Sequence, residues 1–143
     1  MSVVRACPSC ASKNRVPGAH LHDTGRCGRC RAALPPLDDV VDVDAAQLSS
    51  LLAEARVPVL VDFWAPWCAP CRLAAPEVKK AAHALAGRAV VVKVNTDEHP
   101  AAAQQFGVRG IPMFTVVNQG RVVQQQTGLV DAARLVAMVP RPS

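Results

Sequence analysis

The sequence contains no tyrosine, two tryptophans and three phenylalanines among its 143 residues. Aliphatic side chains must therefore fill its core, and half of the residues are apolar, which is enough to build one. No apolar run approaches the roughly 20 residues that a helical membrane span needs. The opening MSVVRACPSC has no apolar stretch of signal-peptide length, so the expected location is the cytoplasm. Acidic residues are scarce in one place only. Residues 1–37 hold Asp23 alone against Arg5, Lys13, Arg15, Arg26, Arg29 and Arg31, whereas residues 38–143 hold ten acidic and ten basic side chains. The basic segment also lacks aromatics, which removes the stacking platforms that single-stranded nucleic acids use. Nucleic acid and membrane are thus not the expected partners.

Six cysteines are present, as three Cys-x-x-Cys pairs: Cys7/Cys10, Cys27/Cys30 and Cys68/Cys71. In a reducing compartment such pairs serve metal binding or redox chemistry rather than structural cross-linking. The first two pairs are separated by sixteen residues, a spacing suited to a four-thiolate zinc ribbon. A segment of this size buries too little surface to fold alone, and one Zn2+ per chain would supply the missing stability. Four thiolates leave no open coordination position, so the expected zinc is structural. His20 and His22 lie between the pairs as alternative ligands, but four cysteines already complete the set.

After Pro35-Pro36 the chain changes character. The pattern predicts strand Val40–Val43, helix Ala45–Ala55 capped by Asp44, and a buried strand Pro58–Trp64. A helix from Cys68 to Ala86, kinked at Pro76, is followed by strand Ala89–Val94 and helix Pro100–Phe106. Strands Met113–Val117 and Arg121–Gln126 flank the turn Asn118-Gln119-Gly120, and helix Asp131–Val139 closes the chain. This β-α-β-α-β-α-β-β-α order implies a mixed sheet covered by helices. Residues 1–36 form the expected ribbon and residues 37–143 the second domain.

Cys68 and Cys71 stand where a buried strand gives way to a helix. The first turn of a helix offers unpaired N–H groups and a partial positive charge, which stabilise a thiolate at Cys68. The thiolate is the attacking species, and Cys71, one turn on, is close enough to resolve a mixed disulfide. Pro70 suits a first helical turn, where its missing N–H costs little. Asp62 lies inside the apolar run Val59–Trp64, where desolvation raises a carboxyl's pKa toward a useful range.

Trp67-Cys68-Ala69-Pro70-Cys71 after Val61-Asp62-Phe63-Trp64-Ala65, with Arg109-Gly110-Ile111-Pro112 beyond, resembles the thioredoxin family over residues 38–139. The added ribbon resembles the zinc-containing thioredoxin 2 subfamily. The resemblance implies a thioredoxin fold and a protein-disulfide reductase with a redox-active disulfide. Its electron donor would be thioredoxin reductase, its substrates disulfide-containing proteins, and its expected state a monomer. It further implies Cys68 as nucleophile, Cys71 as the more buried resolving cysteine, and Asp62 as the carboxylate that handles the Cys71 proton. Lys93 is the expected partner of that carboxylate. The Ile111–Pro112 bond is expected to be cis, placing Pro112 beside the sulfurs, with Trp67, Gly110, Ile111 and Gly128 as an apolar substrate rim. Ala69 and Met113 depart from the usual glycine and threonine. Two rival readings are a nucleic-acid-binding ribbon on a redox-like scaffold and a regulator whose zinc is released by oxidants.

Overall fold

A computed structural model describes residues 1–142. The N-terminal part consists of strands β1 (Ser2–Ala6), β2 (Lys13–Pro17), β3 (Gly25–Arg26) and β4 (Ala33–Leu34), paired as two antiparallel hairpins. The sequence shows no sustained strand period here. The period is present but short: Val3 opposes Val16, and both pack against the main core. There follow β5 (Val41–Asp42), α1 (Ala45–Glu54), β6 (Val59–Trp64), α2 (Ala69–Ala84), β7 (Val90–Asn95), α3 (Pro100–Gln105), β8 (Met113–Asn118), β9 (Arg121–Thr127) and α4 (Ala132–Met138). The element order from β5 onward matches the expected one. The thioredoxin fold is the result, a mixed sheet in the order β5-β7-β6-β8-β9 with helices on both faces.

Local chemistry sets most boundaries. Asp44 caps α1 in a reciprocal capping box with Gln47. That turn begins directly after β5, which leaves a two-residue strand instead of the four predicted. Helix α2 runs through Pro76 to Ala84 without ending. Gln119 and Gly120 both have positive φ, 53° and 76°, as a two-residue turn between twisted strands requires.

Alternation along β6 divides the core. Val59, Val61 and Phe63 join the cluster under α1 with Val90, Val92 and Val94 of β7. Leu60 joins the cluster under α2 and α4 with Val91, Phe114, Leu135 and Met138. The period of two therefore turns Asp62 toward the α2 face. The ribbon is packed onto the opposite face. Leu21 and Leu37 belong to the α1 cluster, and the Leu37 N–H donates to the Leu21 carbonyl at 2.9 Å. A Cβ at Gly18 would sit 2.8 Å from Glu54 Oε2, so glycine permits this close approach to α1. The Met1 ammonium pairs with Glu54 at 2.7 Å and donates to Ser50 Oγ at 2.9 Å.

Candidate active site and metal centre

Strand β6 ends at Trp64, and the chain turns through Ala65-Pro66-Trp67 into the N-cap of α2, which is Cys68. Its Sγ accepts the Cys71 N–H at 3.2 Å, one of the donors that a first helical turn leaves unpaired. Cys68 and Cys71 form a disulfide with their Cα atoms 5.2 Å apart. Both residues are covered, at 3% and 5% exposure. The two share one small cluster with Ala65, so burial in the disulfide form does not distinguish the expected nucleophile from the expected resolving cysteine.

The loop before β8 closes over this cluster. The Ile111–Pro112 bond is cis, and the Ile111 carbonyl oxygen lies 3.7 Å from Cys68 Sγ. The Gly128 N–H donates to the Pro112 carbonyl at 2.8 Å, which brings Gly128 beside it. Gly110 is near enough to the same strand that a Cβ would stand 3.4 Å from Thr127 Cγ2. Trp67 is 67% exposed, and its indole N–H donates to Asp97 Oδ1 at 3.2 Å. Leu73 and Leu129 are exposed as well. Asp97, Leu73 and Leu129 are not singled out by the sequence, since a lone exposed aspartate or leucine carries no pattern.

Asp62 is 5% exposed, and its Oδ1 has no hydrogen-bond partner among the described residues. Burial pushes its carboxyl up to about 7, against an opposing pull from the Lys93 charge. The expected pairing with Lys93 takes a different form. Lys93 Nζ pairs with Asp42 Oδ2 at 3.7 Å and lies 5.2 Å from the Trp64 ring centroid, so it acts on Asp62 only through space. Asp42 is not anticipated by the sequence, because its place opposite Lys93 depends on strand register. Ala75, one turn beyond Cys71 on α2, lines the same cleft as Asp62.

The four remaining cysteines converge at the tips of the two hairpins. All four Sγ atoms lie within 4.8 Å of one another. Cys7 faces Cys30 and Cys10 faces Cys27, each at 3.6 Å. A tetrahedral zinc with Zn–S bonds of about 2.3 Å has sulfur–sulfur edges of about 3.8 Å, so the set fits the metal. The two knuckles repeat one another. Ala11 N–H bonds Cys7 O at 2.9 Å and Arg31 N–H bonds Cys27 O at 3.0 Å. Ser9 N–H reaches Cys7 Sγ, and Arg29 N–H reaches Cys27 Sγ, both at 3.4 Å. Ala11 and Arg31 both take positive φ, 64° and 68°.

Asn14 ties the knuckles together. Its amide nitrogen donates to Cys27 Sγ at 3.5 Å, and its Oδ1 accepts the Gly28 N–H at 2.9 Å. The Cys30 and Arg29 N–H groups and the Asn14 amide bring the Cys27 thiol down to about 5. Cys30 is helped by the Ala32 N–H, but the neighbouring Cys7 thiol and burial push it up to about 12. Clustered thiols thus resist ionising together unless a cation joins them. His20 and His22 stand apart from this set and flank Asp23, at 2.8 and 3.2 Å.

Comparison with known proteins agrees with this geometry. The thioredoxin family model matches residues 39–141, and a zinc-ribbon model described as "Thioredoxin 2, N-terminal" matches residues 6–32. "Thioredoxin C-3" of Corynebacterium nephridii is 32% identical over 133 residues, covering 93% of this chain and 90% of that protein. The thioredoxin of Haemophilus influenzae is 36% identical over 103 residues, covering 72% of this chain and 96% of that protein. Among solved structures, a mutant thioredoxin from Halobacterium salinarum NRC-1 superposes with a TM-score of 0.66 at 32% identity. That match covers 71% of this chain and 88% of the other. With a cysteine pair at the N-terminus of α2, a cis proline beside it and a buried aspartate in the strand that leads to it, this chain belongs to the thioredoxin family.

Proposed function

We propose that the protein reduces protein disulfides by dithiol–disulfide exchange, with Cys68 as nucleophile and Cys71 as resolving thiol. The observation that carries this reading is the bond between the two sulfurs across the first turn of α2. In the dithiol form the Cys68 thiolate attacks one sulfur of a substrate disulfide, and the other sulfur leaves as a thiolate. Cys71 then gives its proton to Asp62 and attacks Cys68 Sγ. The second substrate sulfur leaves, and the Cys68–Cys71 disulfide remains. Two electrons have passed to the substrate, and a dithiol donor, in this family a thioredoxin reductase, restores the enzyme.

Asp62 suits the role of base because a buried carboxyl titrating near 7 is ionised in part at neutral pH and holds a proton well. The rim of Trp67, Gly110, Ile111, Pro112 and Gly128 is read as the surface that receives an extended substrate segment. Lys93 tunes Asp62 from a distance. The ribbon is read as the holder of one structural zinc on Cys7, Cys10, Cys27 and Cys30, which would cross-link the two knuckles and take no part in electron transfer. A cytoplasmic location is the reading that ribbon cysteines outside any disulfide favour, and a monomer is what the resemblance to the family implies.

The test is reduction of a model protein disulfide by the purified chain with a dithiol donor. Cys68→Ser should abolish turnover. Cys71→Ser should accumulate a covalent mixed disulfide with substrate through Cys68. Turnover that survives Cys68→Ser would refute the assignment.

A further inference from the structure

A cleft of about 400 Å³ beside Asp62 is lined by Asp39, Asp42, Asp62, Lys79 and Lys93 among others. Strand pairing sets Asp42 against Lys93 across β5 and β7, and Lys93 against Asp62 across β7 and β6. Their neighbours Val43, Val61, Phe63, Val92 and Val94 all point into the α1 cluster, so alternation turns the three charged residues to the α2 face. One ammonium thus stands between two carboxylates, and it is not shared evenly. Nζ is 3.7 Å from Asp42 Oδ2, whereas the buried Oδ1 of Asp62 has no partner among the described residues. The Trp64 ring, 5.2 Å from Nζ, holds the ammonium from a second side.

We propose that Asp42 is a positioning residue for the proton transfer at Asp62: it keeps Lys93 at the solvent end of this row, so that the buried carboxyl stays without a counterion and retains its affinity for a proton. The inference rests on the reading of Asp62 as the base for Cys71. An ammonium brought against Asp62 would favour its ionised form and weaken its grip on the Cys71 proton. The other charged groups lining this cleft are Asp39, from the segment before β5, and Lys79, from α2. On the β8 side Asp62 is paired with Phe114, which carries no charge. Asp42 and Lys93 are 69% and 37% exposed, so their pair is screened and the tuning is small.

Carboxyl carbon-13 NMR titration of Asp62 in the oxidised full-length protein tests this directly. Asp42→Asn should lower the Asp62 midpoint by a few tenths of a pH unit, and by no more than about 0.7, the span set by exposed ion pairs. Lys93→Met should raise the midpoint, and Asp42→Asn added to Lys93→Met should then produce no further fall. An unchanged midpoint in Asp42→Asn overturns the proposal. So does a fall of equal size with and without Lys93, since Asp42 would then act only as a distant charge. Asp42 is well exposed, so asparagine is accommodated there. The midpoint is read on the carboxyl itself and holds whether or not Asp62 serves Cys71. That separate point is decided by the reduction rate of Asp62→Asn.

Discussion

The chain places one motif in two settings, and the contrast lies in what surrounds each pair. Cys68-x-x-Cys71 opens a helix, and its two sulfurs bond to each other. Cys7-x-x-Cys10 and Cys27-x-x-Cys30 sit on hairpin tips, and their sulfurs face across to the opposite pair. Spacing alone puts two sulfurs on one side of a turn. A helix N-terminus then favours a thiolate that attacks, whereas two opposed knuckles favour thiolates that hold a cation. The ribbon's sulfurs accept backbone N–H groups as Cys68 does, so hydrogen bonds to sulfur do not separate the two cases. The presence or absence of a second pair does.

The largest expected effect that would break this comparison is functional separation. Cys7→Ser should lose essentially all bound zinc, read by metal analysis, while keeping most of the disulfide-reduction rate. A loss of reduction as deep as that of Cys68→Ser would mean the two centres are one. Next in size is the shared core. Leu21 comes from the ribbon but is fully buried in the α1 cluster, so Leu21→Ala should cost about 2–5 kcal/mol and lower a single unfolding transition of the whole chain. Separate melting of the ribbon, with the rest unchanged, would contradict that.

Asp62 gives a pH-dependent effect on the redox side only. Its folded carboxyl titrates near 7 against an ordinary 3.8, so the fold favours the neutral form. The resulting stability is full below about pH 4 and is lost as pH rises through about 7, by at most about 4 kcal/mol. Asp62→Asn should therefore stabilise the oxidised protein at pH 8 relative to pH 5, as read by urea unfolding. An equal effect at both values would show that the carboxyl is not desolvated. The smallest effect belongs to Asn14. Asn14→Ala should weaken zinc affinity about 10–100-fold, as loss of a hydrogen bond to a metal ligand does, and leave the reduction rate unchanged.

Much of the molecule is legible in its sequence because the signals are local. Asp44 reads as a cap, Asn118–Gly120 as a turn, and the apolar runs of β6 and β7 as buried strands, since each depends on neighbours in sequence. The cysteine spacing likewise points to a four-sulfur cluster. The strands of the ribbon are not legible, because β1 and β2 turn one valine each onto the core and β3 and β4 are two residues long, which leaves little periodicity.

The sequence by itself determined which side chains carry chemistry and which elements present them, because propensity, capping and alternation act over a few residues. Tertiary structure decided whom those side chains meet. Lys93 faces Asp42 and Asp62 together only because three strands pair in register, and it sits with Asp42 because that partner is the one at the solvent edge. Leu21 and Leu37 enter the core under α1 because the ribbon's own surface is too small to bury them. Contacts between distant parts of a chain are fixed by packing, and no short window of residues encodes them.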